Sequence, residues 1–261
     1  MNEELRKELE WCGFHWETCM ESKRPIHPDY PYRYSDGDCV NQHFDVVTLG
    51  IKHDPKTIKW WNKEWKEIVE YNPKIGCGLL KSIETVPVNN SIECEVMMPE
   101  GTNLWPSFWL TACDAWPPEI DIFEGYTDKQ GSYFDTLGLH KRFPFIYRNV
   151  RMESNVHYKD DKDVHRQIKG KGDHKSFFKM PLELNWNHFK CNWYEDRIEF
   201  YINGKLHRTV TDKKVLSKMN TEGMWVIFNI WGNEDFDCSV SGDINNFLSP
   251  MMIRNFKVTK L

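Results

Sequence analysis

The chain has 261 residues, 40% hydrophobic and 28% charged, with 12 Trp and a formal net charge of −5. Its aromatic content of 14% excludes a disordered chain. A mean hydropathy of −0.66 with no apolar run of about 18 residues excludes a membrane-spanning helix. The acidic balance argues against a nucleic-acid footprint and suits a neutral polymer, since flat Trp faces stack on sugar rings.

Taken in chain order, the N-terminal MNEELRKELEW is charged and lacks the apolar run of a signal peptide, so no export signal is expected in this chain and its location stays open. Residues 2–11 favour a short helix. Phe44 to Lys52 reads as a strand, and Asp54 to Val69 as a second helix, because Trp61, Trp65 and Ile68 share one helical face. From about Gly76 the pattern turns to short strands separated by turn signals, at 77–85, 91–98, 104–111, 119–124, 188–194, 197–202, 205–210, 224–231 and 251–259. Asn203-Gly204 between RIEFYI and KLHRTV marks a two-residue hairpin turn, with Ile198, Phe200 and Ile202 facing one way and Arg197, Glu199 and Tyr201 the other. Many short strands and little helix predict an all-β jelly-roll sandwich of two curved antiparallel sheets, concanavalin-like, with minor N-terminal helices. Residues 1–261 are read as one domain, in which 1–75 wrap the sandwich and extend one rim of a cleft. The eight Cys form no CxxC pair or zinc spacing and are expected to be reduced. Those in strands, such as Cys94 and Cys191, would serve as small apolar filler.

The segment Trp105 to Tyr126, WPSFWLTACDAWPPEIDIFEGY, carries Glu119, Asp121 and Glu124 among large apolar residues. In a regular strand Glu119 and Asp121 share a face and Glu124 falls on the other. An extra residue at Ile122-Phe123, a β-bulge, would bring all three acids together, and bulges are enriched beside active sites. Crowding three carboxylates with no interleaved base opposes stability, which points to chemistry. Two carboxylates flanked by a third suit glycoside hydrolysis: one attacks the anomeric carbon, one gives a proton to the leaving oxygen, and the third biases their titration. A calcium site lacks the expected loop spacing. Four to five extended residues span about 13 Å, whereas a retaining pair needs carboxyl groups about 5–5.5 Å apart, so the strand must bend.

At these residues the chain resembles glycoside hydrolase family 16, the laminarinase-like group, whose motif E-[I/L]-D-[I/V]-x-E stands here as Glu119-Ile120-Asp121-Ile122-Phe123-Glu124. The segments SIECEVMMPEG (91–101), LWPSFWL (104–110), HFKCNWYEDRIEFYINGK (188–205) and MWVIFNIWGN (224–233) resemble family strands in the same order, so the likeness covers about 76–261. It implies a retaining, endo-acting β-glycan hydrolase, with Glu119 as nucleophile, Asp121 as assisting acid and Glu124 as acid/base. The first substrate expected is laminarin-type β-1,3-glucan or mixed-linkage glucan. β-Galactans and a non-catalytic glycan-binding jelly roll are the alternatives.

The resemblance also implies that Trp105 and Trp109 line the glycone side of the cleft, and Trp116 is expected to bind substrate with them. Asn229, Trp231 and Trp225 share a strand face, so one or more of them is expected to meet sugar. A cleft-facing His near the acid/base is matched best by His157, with His140 competing. His165 and His174 are read as surface residues. HKRFPFIYR (140–148) is expected as a loop over one end of the cleft. No cofactor or metal is expected, nothing in the sequence supporting a structural calcium. The expected partners are a polysaccharide or oligosaccharide, with no nucleic acid, no membrane and a monomeric chain.

Overall fold

The computed structural model describes residues 6–20, 33–62, 66–99, 102–127, 150–169, 186–219, 221–237 and 250–261. The strands are β1 (Glu8–Trp11), β2 (Phe14–Glu17), β3 (Arg33–Ser35), β4 (Val40–His43), β5 (Val46–Leu49), β6 (Ile51–His53), β7 (Ile58–Asn62), β8 (Glu67–Tyr71), β9 (Ile75–Cys77), β10 (Leu79–Val86), β11 (Asn90–Met97), β12 (Thr102–Ala112), β13 (Glu119–Thr127), β14 (Val150–Lys159), β15 (His165–Lys169), β16 (Asn187–Trp193), β17 (Ile198–Ile202), β18 (Lys205–Val210), β19 (Met224–Asp237) and β20 (Met251–Lys260). An eight-stranded antiparallel sheet runs β1-β2-β10-β19-β12-β13-β14-β15, and a seven-stranded one runs β18-β17-β16-β11-β20-β5-β4. β3, β9 and β6 form a small third sheet, and β7 and β8 a two-stranded ribbon. This is the all-β, jelly-roll sandwich that the strand pattern predicts.

The core lies between the two large sheets, because alternate residues of each point inward. From β12, β13 and β19 come Phe108, Phe123 and Phe228, and from β16 and β17 Phe189 and Phe200, all buried. Phe108 stacks on Phe228 at 4.4 Å between ring centroids, and Phe123 meets Phe189 across the gap at 4.5 Å. Cys94 and Cys191 are buried free thiols within this core. Cys12, Cys39 and Cys113 are likewise free thiols, and Cys238 lies outside the described residues. The hairpin turn between β17 and β18 has Asn203 at φ 50 and Gly204 at φ 74, the left-handed pair that an Asn-Gly turn requires. Arg208 on β18 reaches from the margin of one sheet to the other: its Nη1 donates to Ser154 O and Oγ, and its Nη2 to Ile168 O.

The N-terminal helices are a correction. Residues 8–11 form β1, and a turn through Cys12 (φ 53) and Gly13 (φ 76) leads into β2. The strand prevails because alternation buries Trp11 and Trp16 against Phe228 and Phe256. The second predicted helix is the β7–β8 ribbon, in which Trp61 and Ile68, grouped by helical spacing, stand opposite each other as cross-strand partners. Ile68 is 68% exposed, so it covers no core. The strand predicted at 44–52 is broken at Gly50 into β5 and β6, while Phe44 sits at an exposed turn with φ 54.

Residues 6–20 and 33–62 supply edge strands to both large sheets and most of the small ones. The α-helix α1 (Lys213–Lys218), capped by Asp212 accepting from the N–H groups of Lys214 and Val215, links β18 to β19. Among the described residues no helix is long and apolar enough to cross a membrane.

Candidate active site

The register around β13 places the three acids. Going along β12, Thr111, Trp109 and Ser107 pair with Glu119, Asp121 and Glu124, while the intervening Leu110 and Phe108 pair with Ile120 and Phe123. On the other side Glu119, Asp121 and Glu124 pair with His157, Asn155 and Glu153 of β14. Both ladders slip between Asp121 and Glu124, and Ile122 is the residue without a partner in either. The bulge is therefore where the sequence requires it. Ile120 and Phe123 go to the core, and the three acids share the sheet's outer face.

That face has a cross-strand order. Glu119 lies level with Thr111, Trp225, His157 and Gln167. Asp121 lies level with Trp109, Ile227, Asn155 and Lys169, and Glu124 with Ser107, Asn229 and Glu153. Beyond Glu124 the row ends in Trp105 paired with Trp231, whose rings meet edge to face at 5.5 Å. Trp109 Nε1 donates to Asn229 Oδ1 at 2.6 Å, fixing both side chains, and leaves the buried Asn229 Nδ2 without a hydrogen-bond partner. Trp116, 53% exposed in the turn before β13, donates from Nε1 to Glu119 Oε2 at 2.9 Å. Trp105, Trp109, Trp116, Asn229 and Trp231 thus gather with the acids.

His157 is brought to the site, but opposite Glu119. Its Nε2 is 3.2 Å from Asp121 Oδ2 and 3.5 Å from Glu119 Oε1, a correction to its expected place beside the acid/base Glu124. His140, His174 and the 140–148 segment lie outside the described residues. His165 is exposed, as read, yet it is no bystander: its Nε2 lies 2.7 Å from His157 Nδ1, and Trp116 packs 4.7 Å from its ring.

Burial is the largest influence on two of the acids. It pushes Glu119 well above the ordinary carboxylate range, aided by Asp121 and opposed by His157 and the Trp116 hydrogen bond. Burial also pushes Asp121 well up, with Glu124 adding to it and Lys169 and Arg208 opposing. Asp121 is 3% exposed and its Oδ2 accepts no hydrogen bond. Such an oxygen is better satisfied carrying a proton than a charge.

Among the described residues, Glu119, Asp121 and His157 form the one cluster whose metal-ligating atoms all lie within 4.8 Å of one another. His157 Nε2 also lies 2.9 Å from Asn155 Nδ2.

Sequence reasoning missed β14 and β15, and with them Asn155, Gln167 and the contact made by His165. The available signal was the alternation of Met152, Ser154 and Val156 against Glu153, Asn155 and His157.

Comparison with known proteins agrees with this geometry. Over 53 residues, about a fifth of each protein, the chain is 40% identical to a galactan endo-beta-1,3-galactanase of Flammulina velutipes. The fold resembles LamAcat from Zobellia galactanivorans, with a TM-score of 0.62 at 12% identity over 92% of this chain and 88% of that one. It also resembles the endo-beta-1,3-glucanase of Pyrococcus furiosus, with a TM-score of 0.56 at 15% identity over 97% and 99%. The kappa-carrageenase of Pseudoalteromonas carrageenovora gives 0.57 at 14% identity over 96% of each chain. The profile of glycosyl hydrolases family 16 matches residues 56–244, well over half of the sequence, and the chain therefore belongs to that family of glycoside hydrolases.

Proposed function

We propose that the protein is a retaining, endo-acting hydrolase of β-1,3-linked polysaccharide, galactan or glucan. The observation that carries this reading is the bulge at Ile122, which sets Glu119, Asp121 and Glu124 on one face beside Trp105, Trp109 and Trp231. Glu119 attacks the anomeric carbon while Glu124 gives its proton to the leaving glycosidic oxygen. Glu124 then takes a proton from water, and that water displaces Glu119 with net retention. Asp121, holding a proton, stabilises the ionised Glu119 without adding a second charge, and Trp116 orients Glu119 through Oε2. No cofactor enters these steps. The short match to a galactan endo-beta-1,3-galactanase favours β-1,3-galactan as the first polymer to try, ahead of laminarin.

The test is digestion of β-1,3-galactan, laminarin, lichenan, agarose and carrageenan, with products weighed by mass spectrometry and the first anomer read by proton NMR. Oligosaccharides of retained configuration from a β-1,3 polymer are expected, and none with Glu119→Gln. Wild-type protein inert on every polymer overturns the reading, and binding without turnover would replace it with the non-catalytic alternative. On an active polymer, Trp105→Ala and Trp231→Ala are each expected to raise KM about 3–10-fold with kcat little changed, since a stacking face contributes about 0.5–1.5 kcal/mol. Steady-state kinetics over a range of polymer concentrations checks this.

A further inference from the structure

His157 and His165 meet nitrogen to nitrogen. The 2.7 Å separation, a centroid distance of 5.0 Å and an interplanar angle of 11° describe two rings nearly coplanar and joined edge to edge. One hydrogen must lie between them, and the surroundings say whose it is. Val156 N–H can only donate, and it reaches Asn155 Oδ1 at 2.9 Å, which fixes the Asn155 amide. Asn155 Nδ2 then donates to Gln167 Oε1 at 3.1 Å and to His157 Nε2 at 2.9 Å. With Nε2 accepting, neutral His157 carries its proton on Nδ1 and donates it to His165 Nε2.

We infer that His165 is a positioning residue: by accepting from His157 Nδ1 it holds the His157 ring in the tautomer whose Nε2 accepts from Asn155, and so keeps that ring beside Asp121 and Glu119, at 3.2 and 3.5 Å. The inference rests on the proposed hydrolase reading for its kinetic consequence, but not for its geometry.

The turn between β14 and β15 is built to hold His165 there. Asp160 Oδ1 accepts from the N–H groups of Lys162 and Val164, and Asp160 Oδ2 pairs with Arg166 at 2.8 Å. Partial burial, and then the neighbouring His157, keep the His165 pKa below its ordinary value, so it stays neutral and able to accept. The charged groups around the pair are Glu119, Asp121 and Glu124 on β13, Glu153 on β14, Lys169 on β15 and Arg208 on β18. Lys159 on β14 pairs with His165 across the ladder, and among the described residues β12 presents Thr111, Trp109, Ser107 and Trp105 to this face, none of them charged.

The experiment compares the full chain with His165→Phe, which keeps a ring against Trp116 but removes the acceptor, and His165→Gln, which restores one. Long-range proton–nitrogen NMR of the imidazoles is expected to show His157 with its proton on Nδ1 in the wild type and His165→Gln, and a mixture of tautomers in His165→Phe. A positively charged His157 favours ionised Glu119. A ring released from its acceptor is held less firmly against Glu119, so the acidic limb of the kcat/KM profile should move up by about half to one pH unit in His165→Phe. In His165→Gln it should stay near the wild-type position. A purely structural role would lower the melting temperature and the rate at every pH without moving the limb. The inference is overturned if wild-type His157 carries its proton on Nε2, or if His165→Phe matches wild type in both readouts. If no glycan is cleaved, the NMR result still decides it, separately from the proposed function.

Discussion

Replacing Glu119 by Gln is expected to reduce turnover by about 10³-fold or more and, at neutral pH, to raise the melting temperature. The loss follows from the proposed role, since an amide cannot form the glycosyl intermediate. Glu124→Gln should lose as much, because its proton is needed at the leaving oxygen and its carboxylate at the water. The gain in stability follows from burial. Glu119 and Asp121 both bind their protons more tightly folded than unfolded. An acid with a raised folded pKa contributes stability that is fully present below its unfolded pKa, about 4, and is lost as pH rises through the folded value. At neutral pH the wild type bears that cost and the glutamine variant does not. Relief of a poorly satisfied buried group is of order 1–3 kcal/mol, and each kcal/mol moves the midpoint of a chain this size by about 2–4 °C. The readout is the difference in melting temperature between variant and wild type, which should grow from pH 4 to pH 7. The difference isolates the site from Asp38, Glu84, Asp160, Asp161 and Glu199, whose pKa values are lowered and whose contributions run the other way. A midpoint that falls in Glu119→Gln would mean the acid is structural.

Deleting Ile122 should leave the three acids on one face, so its cost should fall on stability and on the spacing between Glu119 and Glu124. Without it the β12 ladder runs on unbroken, with Asp121, Phe123 and Glu124 facing Trp109, Phe108 and Ser107 in strict alternation, so Phe123 stays in the core and Glu124 stays with the other acids. What is lost is a buried side chain and the local bend that spaces Glu124 from Glu119, so the deletion is expected to melt at least about 5 °C lower and to turn over more slowly. Ile122→Ala separates the two effects. It removes apolar volume from a buried site and should cost about 2–5 kcal/mol. It leaves the residue count of the bulge intact, so turnover below the melting range should survive. Thermal denaturation and rates on the active polymer check both. A deletion variant that keeps wild-type turnover would mean that the bulge does not set the site.

The fold was legible wherever a strand had to satisfy both a buried face and an exposed one. Ile198 and Phe200 against Glu199 and Tyr201, with Asn203-Gly204 following, could be read directly because that strand's two faces differ in chemistry. The acids were legible for a different reason: three carboxylates among Phe and Ile make sense on one face only if one residue is extra. What escaped was β14. Its inward residues include Ser154, whose hydroxyl and carbonyl are satisfied by Arg208 from the far sheet, so a polar residue stood where an apolar one would have signalled a strand. Trp11 and Trp16 were misread because a short segment rich in Glu and Leu has helical propensity, and only the distant Phe228 and Phe256 make a strand the better way to bury two indoles. His165 was dismissed on metal-ligand spacing, a test that cannot detect a histidine whose partner is another histidine.

Arg208 has a mechanical consequence. β15 and β18 each end their sheet, and a terminal strand is held laterally on one side only. One guanidinium spanning Ser154 and Ile168 ties these two loose margins together like a latch. The wall that carries His157 and His165 is thereby braced from behind, across the interior, and does not have to be steadied by whatever occupies the front. A sugar chain entering this groove meets that side already set, so little ordering is left for binding to supply there.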